Sequence, residues 1–124
     1  MILGIGTDIL EIKRIKKVFN SEKKLSRIFT EKEIFKSKGK IESLAGYFSS
    51  KESFSKALGT GIGEISFKDI EIKNTSLGKP YIKSEKLDKK IKEVFETKNN
   101  KVHLSITHSK EYVVTMVIIE GEYK

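Results

Sequence analysis

The chain has 124 residues, 37% apolar and 34% charged, with 25 Lys and Arg against 17 Asp and Glu for a formal net charge of +8. That balance fits one soluble domain with a heavily charged surface, and it predicts no membrane span, because the opening run Ile2–Gly6 is too short and too glycine-rich to cross a bilayer. No cysteine occurs, which excludes disulfides and thiolate chemistry and is compatible with the cytoplasm.

Ile2–Thr7 reads as a strand, with Gly4, Gly6 and Asp8 in one row along it. Two glycines weaken a strand, so they point to the close approach of another backbone or of a ligand. From Glu11 the apolar period turns helical through Ile12, Ile15, Val18 and Phe19, predicting a helix to about Phe19. Asp8 and Glu11 have capping-box spacing, so Asp8 is a candidate N-cap as well as a candidate metal ligand. Asn20–Lys24 is expected to be a turn. Thr30 and Glu33 form a second capping box, opening a short helix that "KSKGK" (Lys36–Lys40) ends. A longer helix is expected over about Glu42–Leu58, closed by "GTGIG" (Gly59–Gly63). That glycine run follows a helix and lacks a Gly-Lys-Ser/Thr ending, so it is not a phosphate-cradling loop of the Walker kind.

The second half is richer in strands. Residues 65–74 are strand-like, and Leu77–Lys79 is a turn leading through Pro80, the only proline, into a short strand. Leu87, Ile91, Val94 and Phe95 define another helix. Lys98–Lys101 is expected to be a turn, and Val102–Thr107 and Tyr112–Ile119 are strands joined by a hairpin at His108–Glu111. The order β-α-α-α-β-β-α-β-β predicts an α+β fold, a single domain over residues 1–124 with a mainly antiparallel sheet packed by helices.

Several side chains bear chemistry. Glu52 and Lys56 are four apart on the long helix, beside Ala45 and Phe48 at the margin of its apolar face. They are either a surface ion pair or part of an active site. His108 falls at a strand end on the apolar side, with Ser109 next to it, and neither HxH nor HExxH occurs, so zinc is not indicated. Two carboxylates suit Mg²⁺, which prefers oxygen ligands and completes its shell with water and substrate phosphates. With the basic charge, these residues point to phosphoryl chemistry on an anionic substrate.

"GIGTDILEIKRI" (Gly4–Ile15), "FSSKESFSKALGTG" (Phe48–Gly61), "GKPY" (Gly78–Tyr81) and "LSITHSKEYVVTMVII" (Leu104–Ile119) occur in that order, with "RIFTEKEI" (Arg27–Ile34) between the first two. Together they resemble holo-(acyl-carrier-protein) synthase, the short bacterial 4′-phosphopantetheinyl transferase, over nearly the whole chain. The resemblance implies that fold and a reaction. The phosphopantetheine arm of coenzyme A passes to a serine of apo acyl carrier protein, with adenosine 3′,5′-bisphosphate released, in support of fatty acid biosynthesis. By the same resemblance Asp8 and Glu52 would hold Mg²⁺ and Lys56 would stabilise the leaving phosphate. Lys56, Gly59, Pro80, His108 and Ser109 would line the coenzyme A site. Arg14 would meet the acidic carrier, with Lys24 and Arg27 contributing. The family forms homotrimers with active sites between subunits. Tyr47 stands where many members have an arginine near the coenzyme A phosphates, and Lys36, Lys38 or Lys40 could substitute. Ser49, Ser50 and Ser53 stand where alanines are common.

The competing reading is a small basic nucleic-acid-binding domain. It needs a clustered basic face with aromatic or base-reading residues. Here the lysines are spread, tryptophan is absent and the Phe residues sit at core-like spacings.

Overall fold

A computed structural model describes residues 1–61, 63 and 65–124; Ile62, inside the predicted glycine turn, and Glu64 lie outside the described residues. The elements are β1 (Ile2–Glu11), α1 (Ile12–Val18), α2 (Glu22–Ile28), α3 (Glu31–Ser37), α4 (Ile41–Leu58), a 3₁₀ turn (Phe67–Asp69), β2 (Ile72–Asn74), β3 (Pro80–Ile82), α5 (Glu85–Phe95), β4 (Thr97–His108) and β5 (Tyr112–Tyr123). A three-stranded antiparallel sheet runs β1-β5-β4, and β2 and β3 form a separate antiparallel pair. The predicted α+β class with an antiparallel sheet packed by helices is what is observed.

Four local expectations are corrected. β1 continues past Thr7 to Glu11 because β5 pairs with it along that length, Asp8 lying opposite Thr115 and Glu11 opposite Tyr112. Asp8 is therefore a strand residue and not a helix cap. α1 begins after Glu11, which makes no side-chain cap, and the Ile12 N–H donates to Glu111 O across the sheet. The predicted turn at Asn20–Lys24 leads straight into α2, whose N-cap Ser21 accepts from the Lys24 N–H. Only Leu25 and Ile28 of α2 pack inward, too few to show a helical period in the sequence. Residues 67–69 form a 3₁₀ turn rather than part of a strand. Lys98–Lys101 lies within β4, as a bulge with Asn99 in the left-handed region at φ 51°. The Thr30–Glu33 capping box and the left-handed Gly59 C-cap of α4 form as predicted.

α4 lies across the inner face of the sheet, where the glycine row of β1 finds its explanation. A Cβ on Gly4 would overlap the Ala57 carbonyl oxygen, and one on Gly6 would overlap that of Ser53. Asp8, next in the row, meets Ser49 instead. Two strand residues advance about 6.6 Å and four helix residues about 6.0 Å, so strand and helix stay in step over the whole row. The close neighbour predicted from the glycines is thus the backbone of α4. Gly6→Ala is expected to cost about 3 kcal/mol of stability, the upper end for overpacking against unyielding atoms, read by urea unfolding. A loss below about 1 kcal/mol would mean that α4 can shift freely on the sheet.

The core has two parts. One, around Phe54, Leu58, Leu87 and Ile91, lies between α4, α5 and the sheet; the other, around Ile15, Phe29 and Leu44, lies under α1–α3. Between them sits a buried ion pair. Lys51 Nζ donates to Glu33 Oε1 at 2.9 Å, to Phe67 O at 2.8 Å and to Ile70 O at 2.8 Å. Glu33 also accepts from the Thr30 and Ile72 N–H groups, each at 2.9 Å. This pair ties α4, one residue before Glu52, to α3, the 3₁₀ turn and β2.

Candidate active site

Packing of α4 on the glycine row brings three candidates together. Lys56 Nζ donates to Asp8 Oδ1 at 3.2 Å and to Thr7 O at 3.0 Å. Ser49 Oγ donates to Asp8 Oδ2 at 2.7 Å. The Asp8 side chain is 14% exposed and that of Lys56 is 53% exposed, so the ion pair opens to solvent from a half-buried base. Glu52 stands one turn before Lys56. Burial pushes its carboxyl above the ordinary carboxylate range, the charge of Asp8 adds to this, and Lys56 partly offsets it. Of the two readings of Glu52 and Lys56, the surface ion pair between them is not what α4 makes: the ammonium turns to Asp8.

The donor set fits Mg²⁺. Asp8 and Glu52 are two carboxylates, hard oxygen donors of the kind that Mg²⁺ prefers, and after burial the charge of Asp8 is the second cause that raises the Glu52 pKa. Among the described residues no group of three or more His, Asp or Glu converges. The chain therefore offers two carboxylates, the protein share that suits an ion completing its shell with water and phosphate oxygens.

The remaining candidates divide by position. Gly59 caps the C-terminus of α4 at φ 81°, one turn beyond Lys56. His108 lies at the opposite end of the helix, with Nε2 3.1 Å from Glu42 O, against Gly46. Gly59 stands 13 residues beyond Gly46 and 17 beyond Glu42, about 20–26 Å along α4. Ser109 is in the β4–β5 turn, bonded to Tyr112. Pro80 opens β3 opposite Asn74. Asn74 Oδ1 accepts from Lys36 Nζ at 2.9 Å, and the same ammonium donates to Ile72 O at 2.6 Å and lies 5.2 Å from the Tyr47 ring centre. Burial lowers the Lys36 pKa, with Glu33 and Glu71 opposing. Lys36, Tyr47 and the β2–β3 hairpin thus lie together, and His108 packs separately against the N-terminal part of α4. Arg14 on α1 and Lys24 and Arg27 on α2 are exposed. A groove of about 770 Å³ between α5 and β4, with Leu87, Ile91 and Val102 in its lining, includes none of these candidates.

Two residues at the site escaped sequence reasoning. Ser49 stands out in the sequence only as a serine where alanines are common, and Thr115 reads as an ordinary strand residue. The available signal was the helical spacing of Ser49, Glu52, Ser53 and Lys56, which puts all four on the face toward β1.

The profile of the 4′-phosphopantetheinyl transferase superfamily matches residues 4–117. The chain is 48% identical over 123 residues to a holo-(acyl-carrier-protein) synthase of Fusobacterium nucleatum, covering 96% of this chain and 99% of that one. Among solved structures it is similar to a Bacillus anthracis holo-(acyl-carrier-protein) synthase in complex with CoA (3′,5′-ADP), with 43% identity and a TM-score of 0.79 over 98% of this chain and 99% of that one. It is also similar to the Helicobacter pylori holo-(acyl-carrier-protein) synthase in complex with coenzyme A, with 35% identity and a TM-score of 0.80 over 94% and 99%.

Proposed function

The chain belongs to the 4′-phosphopantetheinyl transferase superfamily, and from that premise we propose that it moves the phosphopantetheine arm of coenzyme A onto a serine of apo acyl carrier protein, with Mg²⁺, in the cytoplasm and in support of fatty acid biosynthesis. The single observation that carries this reading is the convergence of Asp8, Glu52 and Lys56 where α4 crosses β1.

Asp8 and Glu52 would hold the Mg²⁺, which when bound supplies charge neutralisation at the pyrophosphate. The protein's own share is positioning and electrostatics, since little covalent chemistry falls to it in phosphoryl transfer. Lys56, half exposed and already oriented by Asp8 and Thr7 O, can turn to the oxygens on which charge builds as adenosine 3′,5′-bisphosphate leaves. The serine oxygen forms the new bond to phosphorus, the bridging P–O bond breaks, and a carboxylate of the pair takes the serine proton. Lys36 over Tyr47 would supply the cation that many relatives provide with an arginine, beside Pro80, His108 and Ser109 in the nucleotide half of the site.

A homotrimer with shared sites is supported by the outer face of the sheet. Ile5 and Ile9 on β1 are 56% and 66% exposed, Ile9 lies opposite Val114 on β5, and Val114 and Met116 are exposed as well. A contiguous apolar patch of that kind marks an interface, and a second copy of the chain is the occupant we assign. Ile9→Glu is expected to shift the protein to monomer by light scattering and to lose transfer with it; an unchanged assembly would remove this face as the interface.

The test of function is the mass of an apo acyl carrier protein after incubation with the protein, coenzyme A and Mg²⁺, with and without EDTA. A gain of one phosphopantetheine, abolished by EDTA, establishes both transfer and metal requirement; no gain on several carriers overturns the assignment. Arg14→Ala is expected to raise the carrier KM by roughly three- to tenfold at low salt, and less at high salt, as for a charge that steers encounter. An unchanged KM would take Arg14 out of the docking surface. A nucleic-acid role draws no support here, since among the described residues no aromatic ring lies under Arg14, Lys24 or Arg27.

A further inference from the structure

Ser49, Ser50 and Ser53 are all fully buried on α4. Ser50 spends its hydroxyl within the helix, donating to Gly46 O at 2.7 Å. The other two reach out of the helix to Thr115 on β5: Oγ of Ser49 and Oγ of Ser53 lie 2.8 and 2.6 Å from Thr115 Oγ1. Thr115 is the cross-strand partner of Asp8, and its side chain is buried. Ser49 in turn lies 2.7 Å from Asp8 Oδ2.

Counting protons orders these contacts. An ionised carboxylate only accepts, and each hydroxyl owns one proton. Ser49 therefore donates to Asp8. With its proton spent, it accepts from Thr115, and Thr115 accepts from Ser53. The alternative acceptor for Ser53, Thr115 O, is longer at 3.3 Å. Three O–H groups then point head to tail at one carboxylate oxygen in a buried place, where such bonds strengthen one another. The last of them, ending on a charge, is the strongest kind. Packing alone does not call for this arrangement, because alanine fills either serine position without needing a partner.

We propose that Ser53, Thr115 and Ser49 form a positioning relay that holds Oδ2 of Asp8 inward, so that Oδ1 alone faces Lys56 and the cation shared with Glu52. The inference rests on the reading of Asp8 as a metal ligand and adds three residues that set its direction from behind. Groups that orient a ligand in this way are commonly worth 10- to 100-fold in metal affinity.

The test is Mn²⁺ binding in the presence of coenzyme A, read from the paramagnetic resonance of the free ion, with melting temperature measured alongside. Ser49→Ala is expected to weaken Mn²⁺ binding by about tenfold or more, and Thr115→Val, which keeps the shape and removes the hydroxyl, by a smaller factor. Ser50→Ala, whose bond stays within the helix, should bind Mn²⁺ like the unsubstituted protein. If Ser49→Ala and Thr115→Val lower the melting temperature but bind Mn²⁺ unchanged, the hydroxyls are only structural and the relay is overturned. Asp8→Ala separates the two readings: loss of binding there with none in Ser49→Ala removes the relay alone, whereas retention in Asp8→Ala removes the metal site and the relay with it. Should Ser49→Ala fail to fold, Thr115→Val decides the question by itself.

Discussion

Asp8→Ala and Glu52→Gln are each expected to reduce phosphopantetheine transfer by about 10²- to 10³-fold, the rate equivalent of several kcal/mol of charge stabilisation, while the fold is kept. The two substitutions should part company in stability. Asp8→Ala leaves Ser49 without its acceptor and costs about 1 kcal/mol. Glu52→Gln should stabilise the metal-free protein at neutral pH. The Glu52 pKa is raised above the ordinary carboxylate range, by burial first and by Asp8 second. A carboxyl raised in the folded state contributes stability that is complete below its unfolded pKa and is lost as pH rises through the folded one. At neutral pH its ionised form is held at a cost, which glutamine removes. The melting temperature of Glu52→Gln should therefore exceed that of the unsubstituted protein near pH 7, and the gap should close toward pH 4. Added Mg²⁺ should raise the melting temperature of the unsubstituted protein and leave that of Glu52→Gln unmoved. Full activity in either variant would remove that residue from the site.

Lys51→Met is expected to cost about 3–5 kcal/mol in equilibrium denaturation, because it leaves Glu33 as a buried charge without its counter-ion. The ammonium also satisfies the Phe67 and Ile70 carbonyls, so the substitution strands two more acceptors. The double variant Lys51→Met with Glu33→Gln should recover part of the loss, since the unpaired charge is then gone, while the amide oxygen can accept from only one of the Thr30 and Ile72 N–H groups that Glu33 now satisfies. A single-variant loss below about 1 kcal/mol would show that water or a rearranged neighbour reaches Glu33. Transfer per folded molecule should be little changed, because Lys51 points toward α3 and the 3₁₀ turn, away from Asp8.

Lys51 also shows how far local pattern carries. It falls on the stripe Leu44, Tyr47, Phe54 and Leu58, so its place on an apolar face was legible in the helix period. Its partner was not, because Glu33 is 18 residues away and reads as half of a capping box, a role it also fills. Asp8 was the reverse case. Its spacing to Glu11 favoured a cap, and the ladder with a strand more than a hundred residues later overruled that preference. Lys98–Lys101 has turn composition but is drawn into β4 as a bulge, since β5 continues on the other side of it.

Residue type and short-range spacing determined the α+β class, the Thr30–Glu33 cap, the end of α4 at Gly59 and the position of Glu52 one turn before Lys56. The motifs in their order determined the family. Only the tertiary structure decided that α4 is what lies against Gly4 and Gly6, that Lys56 turns to Asp8 rather than to Glu52, and that Ser49 and Thr115 stand behind Asp8. The physical reason is common to all three. Caps and helical periods are set by neighbours a few residues away, whose geometry the backbone fixes. The partner of a side chain across a packed interface depends on which elements meet and in what register, and that is settled by burial of the whole core.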